Sequence, residues 1–269
     1  QVRDDGMEPE ARGPTPSRLV VRSPARPFAY SVMERRTTFV SPLSPCEYLP
    51  DRLWQLRYDV RPQIREGEYV KLLQSGWRRI GPVLFRPECP SCRMCQSLRV
   101  PAGSFRPGAS QRRVWKQNQG VVTITAGTPS ISPEKLGLFA RFHEHGHQSK
   151  AWPPPDHADL GLFVRNPFPI EEWSYHVGER LVGVGFVDAL PAGLSAIYFF
   201  HDPLERQRSL GTFNIMALLA AARERGLPYV YLGYYVNGCR SLEYKARFRP
   251  NEVLTPDGDW RQLTVARGE

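Results

Sequence analysis

Apolar positions in the front half of the chain alternate between helical stripes and short extended runs. Residues 68–76 place their apolar side chains on one helical face and end at a glycine, which predicts a helix. Ser132 followed by Pro133 is a favourable start for a second helix, which is predicted to run to about Gly146. Shorter patterns predict strands at 83–85, 98–100 and 121–125, and a basic helix at 110–118 with Ser110 as its N-cap.

The rear half has a different pattern, rich in β-branched and aromatic residues. Residues 173–177, 181–190 and 194–200 are three extended runs separated by short glycine-containing turns, which predicts an antiparallel meander. An Ala- and Leu-rich amphipathic helix at 210–225 follows, closed by Gly226, and then an apolar strand at 229–235. Strands grouped in this way with a helix between them predict an α+β fold.

Two segments interrupt these patterns and suggest domain limits. Residues 1–36 are rich in Pro, Arg, Gly and Ser and bury too little apolar surface to offset their ordering entropy, so we expect a disordered tail. Residues 151–155, Ala-Trp-Pro-Pro-Pro, break any helix and are predicted to be a hinge. We therefore expect a basic, cysteine-containing N-terminal α+β domain at 37–150 and a second domain at 151–269.

Composition narrows the class of protein. The chain of 269 residues is 41% hydrophobic but has no run of eighteen apolar residues, so we expect no membrane span. It shows no charged-then-apolar signal segment, so export is not expected. Five cysteines are an odd and modest number, which argues against a disulfide scaffold. A cytoplasmic location fits best.

The net charge of +9 is concentrated in one stretch. Residues 41–120 carry +8, whereas residues 121–269 carry −1. Such clustering is expected of a face that meets a polyanion such as nucleic acid. The alternative is an arginine-rich composition with dispersed surface charge, since 31 of the 36 basic residues are arginine.

Three cysteines stand at successive two-residue spacings in Cys89-Pro-Ser-Cys92-Arg-Met-Cys95, and Cys46 lies upstream. Tight turns of this kind let thiolates converge on one soft metal, and a fourth sulfur completes a tetrahedral set. Zinc and an iron–sulfur cluster both suit such a set. Buried free thiols are the alternative interpretation, which we favour for the isolated Cys239.

The string His143-Glu144-His145-Gly146-His147 matches the H-E-x-x-H pattern of zinc proteases. Gly146 weakens the helix that this motif requires, and Pro153 occupies the position of the third ligand in the longer form. Histidines at a helix end also interact favourably with the helix dipole. We expect a helix terminus here rather than a protease centre.

Several motifs occur in the same order as in a known family. They are Ser44-Pro-Cys-Glu-Tyr-Leu-Pro50, Gly76-Trp-Arg-Arg-Ile-Gly81, residues 85–95 around the cysteines, Leu98-Arg-Val-Pro101, Ser110-Gln-Arg-Arg113, residues 194–203 followed by Ser209-Leu-Gly211, Tyr231-Leu-Gly-Tyr234 and Glu243-Tyr-Lys245. Together they resemble the bacterial aminoacyl-tRNA–protein transferases of the N-degron pathway. Within that family the chain looks most like the leucyl-transferring branch, the aspartate/glutamate leucyltransferases.

The resemblance implies a fold and a reaction. The second domain would be GCN5-related N-acetyltransferase-like. It would transfer leucine from leucyl-tRNA to the N-terminal amine of proteins that begin with Asp or Glu, which creates a degradation signal. The transfer chemistry itself requires no cofactor. In such a fold the loop at 207–211, with Ser209, Leu210 and Gly211 opening the helix, would cradle the terminal nucleotides of the tRNA.

Candidate site residues follow from the resemblance and from the chemistry of the reaction. Amine attack on an ester mainly needs alignment and stabilisation of the developing oxyanion. The predicted catalytic residues are Asp202, Tyr234, Tyr244 and Lys245. A guanidinium binds a carboxylate bidentately, so Arg78, Arg79 and then Arg99 are predicted to bind the acidic N-terminus. The same arginines could instead bind tRNA phosphate.

One segment departs from the family pattern. Residues 142–153 differ from the sequence typical of the leucyl branch, so arginyl transfer from Arg-tRNA to the same acceptors stays open as an alternative. An alternative of a different class is a non-catalytic RNA-binding module, in which the cysteine segment and the arginine-rich face bind RNA.

Overall fold

The protein is described from a computed structural model that covers residues 36–145, 157–164 and 167–264. The predicted hinge at 151–155 lies outside the described residues, as does the predicted tail except for Arg36. Arg36 forms an ion pair with the buried Asp59. No helix in the described part of the chain is long and apolar enough to cross a membrane.

The front of the chain forms a small antiparallel sheet. Its four strands lie in the order β1-β4-β6-β5, and β2 and β3 form a separate pair. Their bounds are β1 Thr37–Val40, β2 Ser44–Pro45, β3 Leu53–Trp54, β4 Leu56–Val60, β5 Arg78–Ile80 and β6 Val83–Pro87.

A mixed sheet of eight strands forms the centre of the fold, in the order β14-β13-β7-β12-β11-β10-β9-β8. Adjacent strands are antiparallel except β11 and β12, which are parallel. The bounds are β7 Gln96–Pro101, β8 Val122–Gly127, β9 Ile170–Val177, β10 Arg180–Leu190, β11 Gly193–His201, β12 Tyr229–Tyr235, β13 Glu252–Leu254 and β14 Trp260–Gln262.

Helices pack against both sheets. They are α1 Glu66–Gln74, α2 Ala109–Asn118, α3 Pro133–His145, α4 His157–Val164, α5 Leu210–Glu224 and α6 Arg240–Glu243, with 3₁₀ segments η1 Pro203–Arg208 and η2 Tyr244–Arg247. The largest apolar core lies around α5, of which ten residues are buried. A second core joins α3 and α4 to β10 and β11.

The mixed α and β architecture confirms the predicted class at that level. The meander, α5 and β12 lie within a few residues of their predicted bounds. The prediction of Ser110 as an N-cap is wrong. Helix α2 begins at Ala109, because the Gln111 side chain accepts a hydrogen bond from the Gly108 N–H at 2.8 Å and fixes an earlier start.

The large sheet crosses the boundary predicted at 150/151. Strands β7 and β8 precede that boundary, and they pair with β12 and β9, which follow it. A division of the chain into two domains stays a prediction, and any division at this point would cut the sheet. The small sheet and α1 are attached to it through a third apolar core that includes Tyr69, Trp77 and Tyr231.

A buried ionic network fixes the small sheet to the large one. Arg79 in β5 donates from Nε to Asp188 Oδ2 in β10 at 2.8 Å and forms a second bond through Nη2. Tyr69 in α1 donates its hydroxyl to the same carboxylate at 2.5 Å. Arg79 and Asp188 have 0% exposed side chains. Since removal of one partner would leave an uncompensated buried charge, the network is a strong constraint on the position of β5.

Asp188→Asn should therefore lower the free energy of unfolding by about 3–5 kcal/mol, measured by urea denaturation. The matched control is Asp259→Asn, whose partner Arg261 is exposed, and which should leave the unfolding midpoint essentially unchanged. Equal effects of the two substitutions would contradict the role given to Asp188.

Candidate functional site

The site is the place where the ladder between β11 and β12 stops. The two parallel strands pair only at Leu194 with Val230 and at Ser195 with Tyr231. At the paired end the strands are pressed together, since a Cβ on Gly193 would lie 2.1 Å from the Tyr229 carbonyl oxygen. Both strands continue beyond the last rung, and peptide groups there need other partners.

Arg78 reaches into this opening from β5. Its Nη2 donates to the Ala196 carbonyl of β11 at 2.9 Å. On the other strand it meets Gly233, where an added Cβ would lie 3.7 Å from both Nε and Nη2. Arg78 is only 6% exposed, and burial lowers its pKa. The guanidinium nevertheless stays charged, because arginine does not deprotonate in proteins.

Lys245 enters the opening from η2. Its Nζ donates to the Tyr234 carbonyl of β12 at 2.9 Å and lies 3.6 Å from the position of a Cβ on Gly233. Burial and then the neighbouring Arg78 guanidinium lower the pKa of Lys245 to about 7. A substantial fraction of this amine is therefore neutral at physiological pH.

The buried Arg78 guanidinium and the half-buried Lys245 amine both lie at the opening. Within the described residues neither forms an ion pair, and Asp188 is already held by Arg79. A buried charge without a counter-ion is costly. The arrangement therefore favours an anionic guest between the ends of β11 and β12.

Tyr234 and Tyr244, the two predicted catalytic tyrosines, differ in their roles. The Tyr234 hydroxyl donates to the Gly76 carbonyl at 3.0 Å and lies 3.3 Å from that of Phe85, so it is engaged within the protein. Tyr244 packs against the large core, and burial raises its pKa. It also lines a cavity of about 270 Å³.

That cavity opens beside η2 and is mainly cationic. Its walls combine two aromatic rings with three arginines and one acidic residue. They are Tyr235, Tyr244, Arg240, Arg247, Arg249, Glu243 and Ala246. Aromatic faces next to guanidinium groups suit a nucleotide, which offers a base to stack and a phosphate to bind.

The predicted loop at 207–211 stands at the start of α5. Ser209 is exposed and has a left-handed backbone with φ +51°, a strained conformation for a residue other than glycine. Leu210 is buried in the core, and Gly211 has open space around it. The loop thus presents the N-terminus of a fifteen-residue helix.

Asp202 is engaged on the other side of this loop. One carboxylate oxygen accepts the Leu204 N–H at 3.0 Å and the other accepts from Arg180 at 2.7 Å. The structure therefore brings Arg78, Tyr234 and Lys245 together, while Asp202 holds the start of η1.

Two of the predicted carboxylate-binding arginines are occupied within the protein. Arg79 is held by Asp188. Arg99 donates to Glu252 at 2.7 Å, and its guanidinium carbon lies 3.8 Å and 4.2 Å from the ring centroids of Tyr229 and Trp260. Of the three arginines, Arg78 is the one that lies in the opening, and binding of the acidic N-terminus by Arg79 or Arg99 stays a prediction.

The cysteines of the predicted metal set lie in one region. Burial, followed by the nearby Cys89, Cys46, Cys92 and Cys239, raises the pKa of the Cys95 thiol to about 12. All five are free thiols. In the ranges that the structure covers, no group of three or more His, Cys, Asp or Glu is placed to hold a metal ion. As placed, Cys46, Cys89, Cys92 and Cys95 do not fit a metal, and a bound metal or cluster stays a prediction.

The histidine string lies at the end of α3. His143 Nε2 lies 2.9 Å from the Tyr198 hydroxyl, and burial lowers the pKa of this histidine. The described part of helix α3 reaches His145. His147 lies outside the described residues, so the H-E-x-x-H string is covered only in part.

Sequence reasoning did not find Gly233 or Asp188. A glycine inside an otherwise apolar strand is a signal for a bulge, and Gly233 has φ +80° at the point where the β12 register against β7 shifts. Asp188 gave no local signal, because its partner is 109 residues away.

Comparison with known proteins gave two family matches. Residues 44–113 match the family described as arginine-tRNA-protein transferase, N terminus, and residues 134–255 match its C terminus.

Relatives named aspartate/glutamate leucyltransferase match most of the chain. The protein of Halorhodospira halophila is 36% identical over 80% of this chain and 92% of its own length. That of Nitrobacter hamburgensis is 38% identical over 80% and 88%, and that of Pseudomonas putida is 37% identical over 78% and 89%.

Among solved structures, the C-terminal domain of a putative lysylphosphatidylglycerol synthetase from Agrobacterium fabrum matches with a TM-score of 0.41 and 12% identity. It covers 54% of this chain and 48% of that one. This similarity is too slight to identify a shared fold.

The backbone at Gly233 provides a test of the opening. Gly233→Ala should cost about 1–2 kcal/mol of unfolding free energy, because an L residue is strained at φ +80° and the paired strand cannot relax. Gly120 has the same φ in an exposed turn with open space around it, so Gly120→Ala should cost less. The comparison is made by thermal and urea unfolding, and a larger loss at Gly120 would refute the assignment.

Proposed function

The chain belongs to the arginine-tRNA–protein transferase family and is an aminoacyl-tRNA–protein transferase, and we propose that it transfers leucine from leucyl-tRNA to the N-terminal amine of proteins that begin with Asp or Glu. The observation that carries the acceptor specificity is the buried Arg78 guanidinium, which lies beside the Lys245 amine in the opening between β11 and β12. The product would be a degradation signal of the N-degron pathway, formed in the cytoplasm.

The donor is leucine rather than arginine. The relatives with 36–38% identity carry the name aspartate/glutamate leucyltransferase. The arginyl alternative is not favoured by these names, although the family description mentions arginine. A non-catalytic RNA-binding module is not favoured either, because both the front and the rear family matches are to transferases.

The rear of the chain is acetyltransferase-like in our proposal. Two parallel strands that separate after a short paired stretch, with the intervening helix starting beside their ends, give a cleft for an acyl donor. The loop at 207–211 would receive the 3′ end of the tRNA. The cysteine-containing front part would close the opposite side of the cleft through β5.

The acceptor carboxylate binds Arg78. This guanidinium lies in the opening, is buried and lacks a carboxylate partner within the described residues. A charged hydrogen-bonded pair formed in such a dry place is strong and selective, because a neutral side chain would leave the cation unpaired. Arg79 instead holds β5, so its contribution is to position Arg78.

Lys245 accepts the proton released by the reacting amine. The amine nitrogen attacks the ester carbonyl carbon, the bond from that carbon to the 3′ oxygen of the tRNA breaks, and an amide forms. The proton lost by the amine passes to neutral Lys245 Nζ and returns to the departing 3′ oxygen. A base with a pKa near the working pH serves this exchange well.

The other predicted catalytic residues have supporting roles. The Tyr234 carbonyl accepts from Lys245 and thus orients its Nζ. Tyr244 is one wall of the cationic cavity. Asp202 caps η1 and ties it to Arg180, which fixes the loop before α5.

The function is tested with radiolabelled Leu-tRNA or Arg-tRNA and peptides that begin with Asp, Glu or Ala. We expect rapid labelling of the Asp and Glu peptides from Leu-tRNA and only slow labelling of the Ala peptide. Label from Arg-tRNA only would replace the donor, and no transfer from either donor would overturn the proposal.

Arg78→Gln should lower kcat/KM for an Asp-initiated peptide roughly 30- to 1000-fold, which corresponds to loss of a buried charged pair of about 2–4 kcal/mol. The slow transfer to an Ala-initiated peptide should not fall, since that peptide has no carboxylate for Arg78. Arg86→Gln, a half-exposed arginine on β6, is the charge-matched control. An equal loss for Asp and Ala peptides would reject Arg78 as the carboxylate ligand.

Lys245 gives a pH prediction with a defined sign. Transfer by the wild type should rise with pH and level off above about pH 7, while Lys245→Met should lose this rise and at least 100-fold in kcat.

Unfolding supplies an independent check on Lys245. The folded state releases the lysine proton near pH 7, whereas the unfolded chain holds it to about 10.5. Between these pH values the unfolded state binds more protons than the folded state. The unfolding free energy of the wild type should therefore rise with pH, relative to that of Lys245→Met, by up to about 1.4 kcal/mol per pH unit. A flat difference from pH 7 to 9 would contradict the lowered pKa.

A further inference from the structure

Helix α2 connects the cationic cavity with the loop before α5. At its start, Gln111 donates to the Arg247 carbonyl at 3.2 Å, and the Arg106 N–H donates to the Arg249 carbonyl at 3.3 Å. At its end, Gln117 donates to the Gln207 carbonyl at 3.1 Å. The ten residues of α2 thus span about 15 Å between the two ends of the candidate site.

The outer face of α2 is basic. Gln111, Val114 and Asn118 form its buried side. Arg112, Arg113 and Lys116 are exposed, and Lys116 lies three residues after Arg113 and four after Arg112, so the three side chains share the outward face. We call these three side chains the α2 basic face.

Nothing acidic in the neighbouring sequence neutralises this face. From Cys89 to Pro133 the chain has no Asp or Glu. Within the described residues, Arg112, Arg113 and Lys116 form no ion pair, and the Arg112 guanidinium donates to the Pro107 carbonyl at 2.6 Å. Glu205, at the far end of α2, is itself held by Arg180 and Arg208. The face therefore offers three uncompensated positive charges to solvent.

Charge continues at both ends of α2. The cavity beside η2 exposes Arg240, Arg247 and Arg249 against one carboxylate, Glu243. Beyond the other end, Arg206 is exposed on η1 next to the loop at 207–211. A basic track that leads from an aromatic-walled cavity to a helix N-terminus suits a ribose-phosphate chain, which presents charge at regular steps and bases to stack.

We propose that the α2 basic face binds the phosphate backbone of the acceptor end of the tRNA and guides its 3′ end to the opening between β11 and β12. This inference rests on the proposed function. The division of labour is physical: Arg78 is buried, Lys245 is half-buried and both act on the reacting groups, whereas the α2 basic face is exposed and supplies affinity without reading sequence.

The experiment measures binding of uncharged tRNA to the full chain by fluorescence anisotropy between 50 and 300 mM salt. The triple variant Arg112→Gln, Arg113→Gln, Lys116→Gln should bind roughly ten-fold or more weakly at about 150 mM salt. The slope of log affinity against log salt should fall by about two, since each lost phosphate contact removes about 0.7–0.9. Transfer should show a raised KM for Leu-tRNA and an unchanged kcat at saturation.

The control is a second triple variant with the same loss of charge elsewhere. Arg65→Gln, Lys71→Gln and Arg223→Gln alter exposed residues on α1, on its N-terminal flank and on the last turn of α5. Wild-type affinity and salt slope are expected for it. Thermal unfolding of both triples verifies that they fold.

The outcomes separate this inference from the proposed function. If the wild type transfers leucine but the α2 triple keeps its affinity and slope, the inference is overturned and the function stands. A fall in kcat with unchanged affinity also overturns it, as does an equal loss in both triples. If the wild type transfers nothing to any acceptor, the function itself fails, whatever the binding result.

Discussion

The termination of the β11–β12 ladder after two rungs determines the chemistry of the site. Backbone carbonyls beyond the last rung must find donors, since an unsatisfied buried peptide group costs about as much as a lost hydrogen bond. The Ala196 carbonyl accepts from the Arg78 guanidinium, and the Tyr234 carbonyl accepts from Lys245 Nζ. The same contacts therefore place the Arg78 charge and the Lys245 amine where the strands part, and the gap is suited to an anion.

This arrangement depends on the small sheet being held in place. Arg78 belongs to β5, and its neighbour Arg79 is fixed on Asp188 of β10. Tyr69 of α1 joins the same carboxylate. Because this network is buried, a shift of β5 would leave an unpaired charge in the interior. Strand β5 is therefore fixed in position relative to β11. The front half of the chain thus contributes to the site formed by the rear half. The position of β7, a front-half strand that lies between β12 and β13, also joins the two halves.

The local sequence pattern predicted the individual helices and strands better than it predicted which of them pair with one another. The stripe at 210–225 and the meander at 173–200 bury surfaces of regular period, and their bounds were close to those observed. The insertion of β7 into the rear sheet and the pairing of Arg79 with Asp188 join residues over a hundred positions apart, and no local period encodes them. For the site, residue type and family motif pointed to Arg78, Tyr234 and Lys245, but only the three-dimensional contacts distinguish Arg78 from Arg79.

The excess basic residues of the front half serve two separate purposes. Composition alone would place all of it on a face for nucleic acid, yet Arg61, Arg78 and Arg79 are buried. The paired guanidinium groups of Arg61 and Arg79 contribute little to long-range steering, because their charge is neutralised locally, and Arg78 is reserved for a bound guest. The steering charge is instead what remains exposed near Arg112, on a helix that touches both η2 and η1. One stretch of sequence can therefore supply both the selectivity for an acidic N-terminus and the affinity for RNA, since burial separates the two uses of the same residue type.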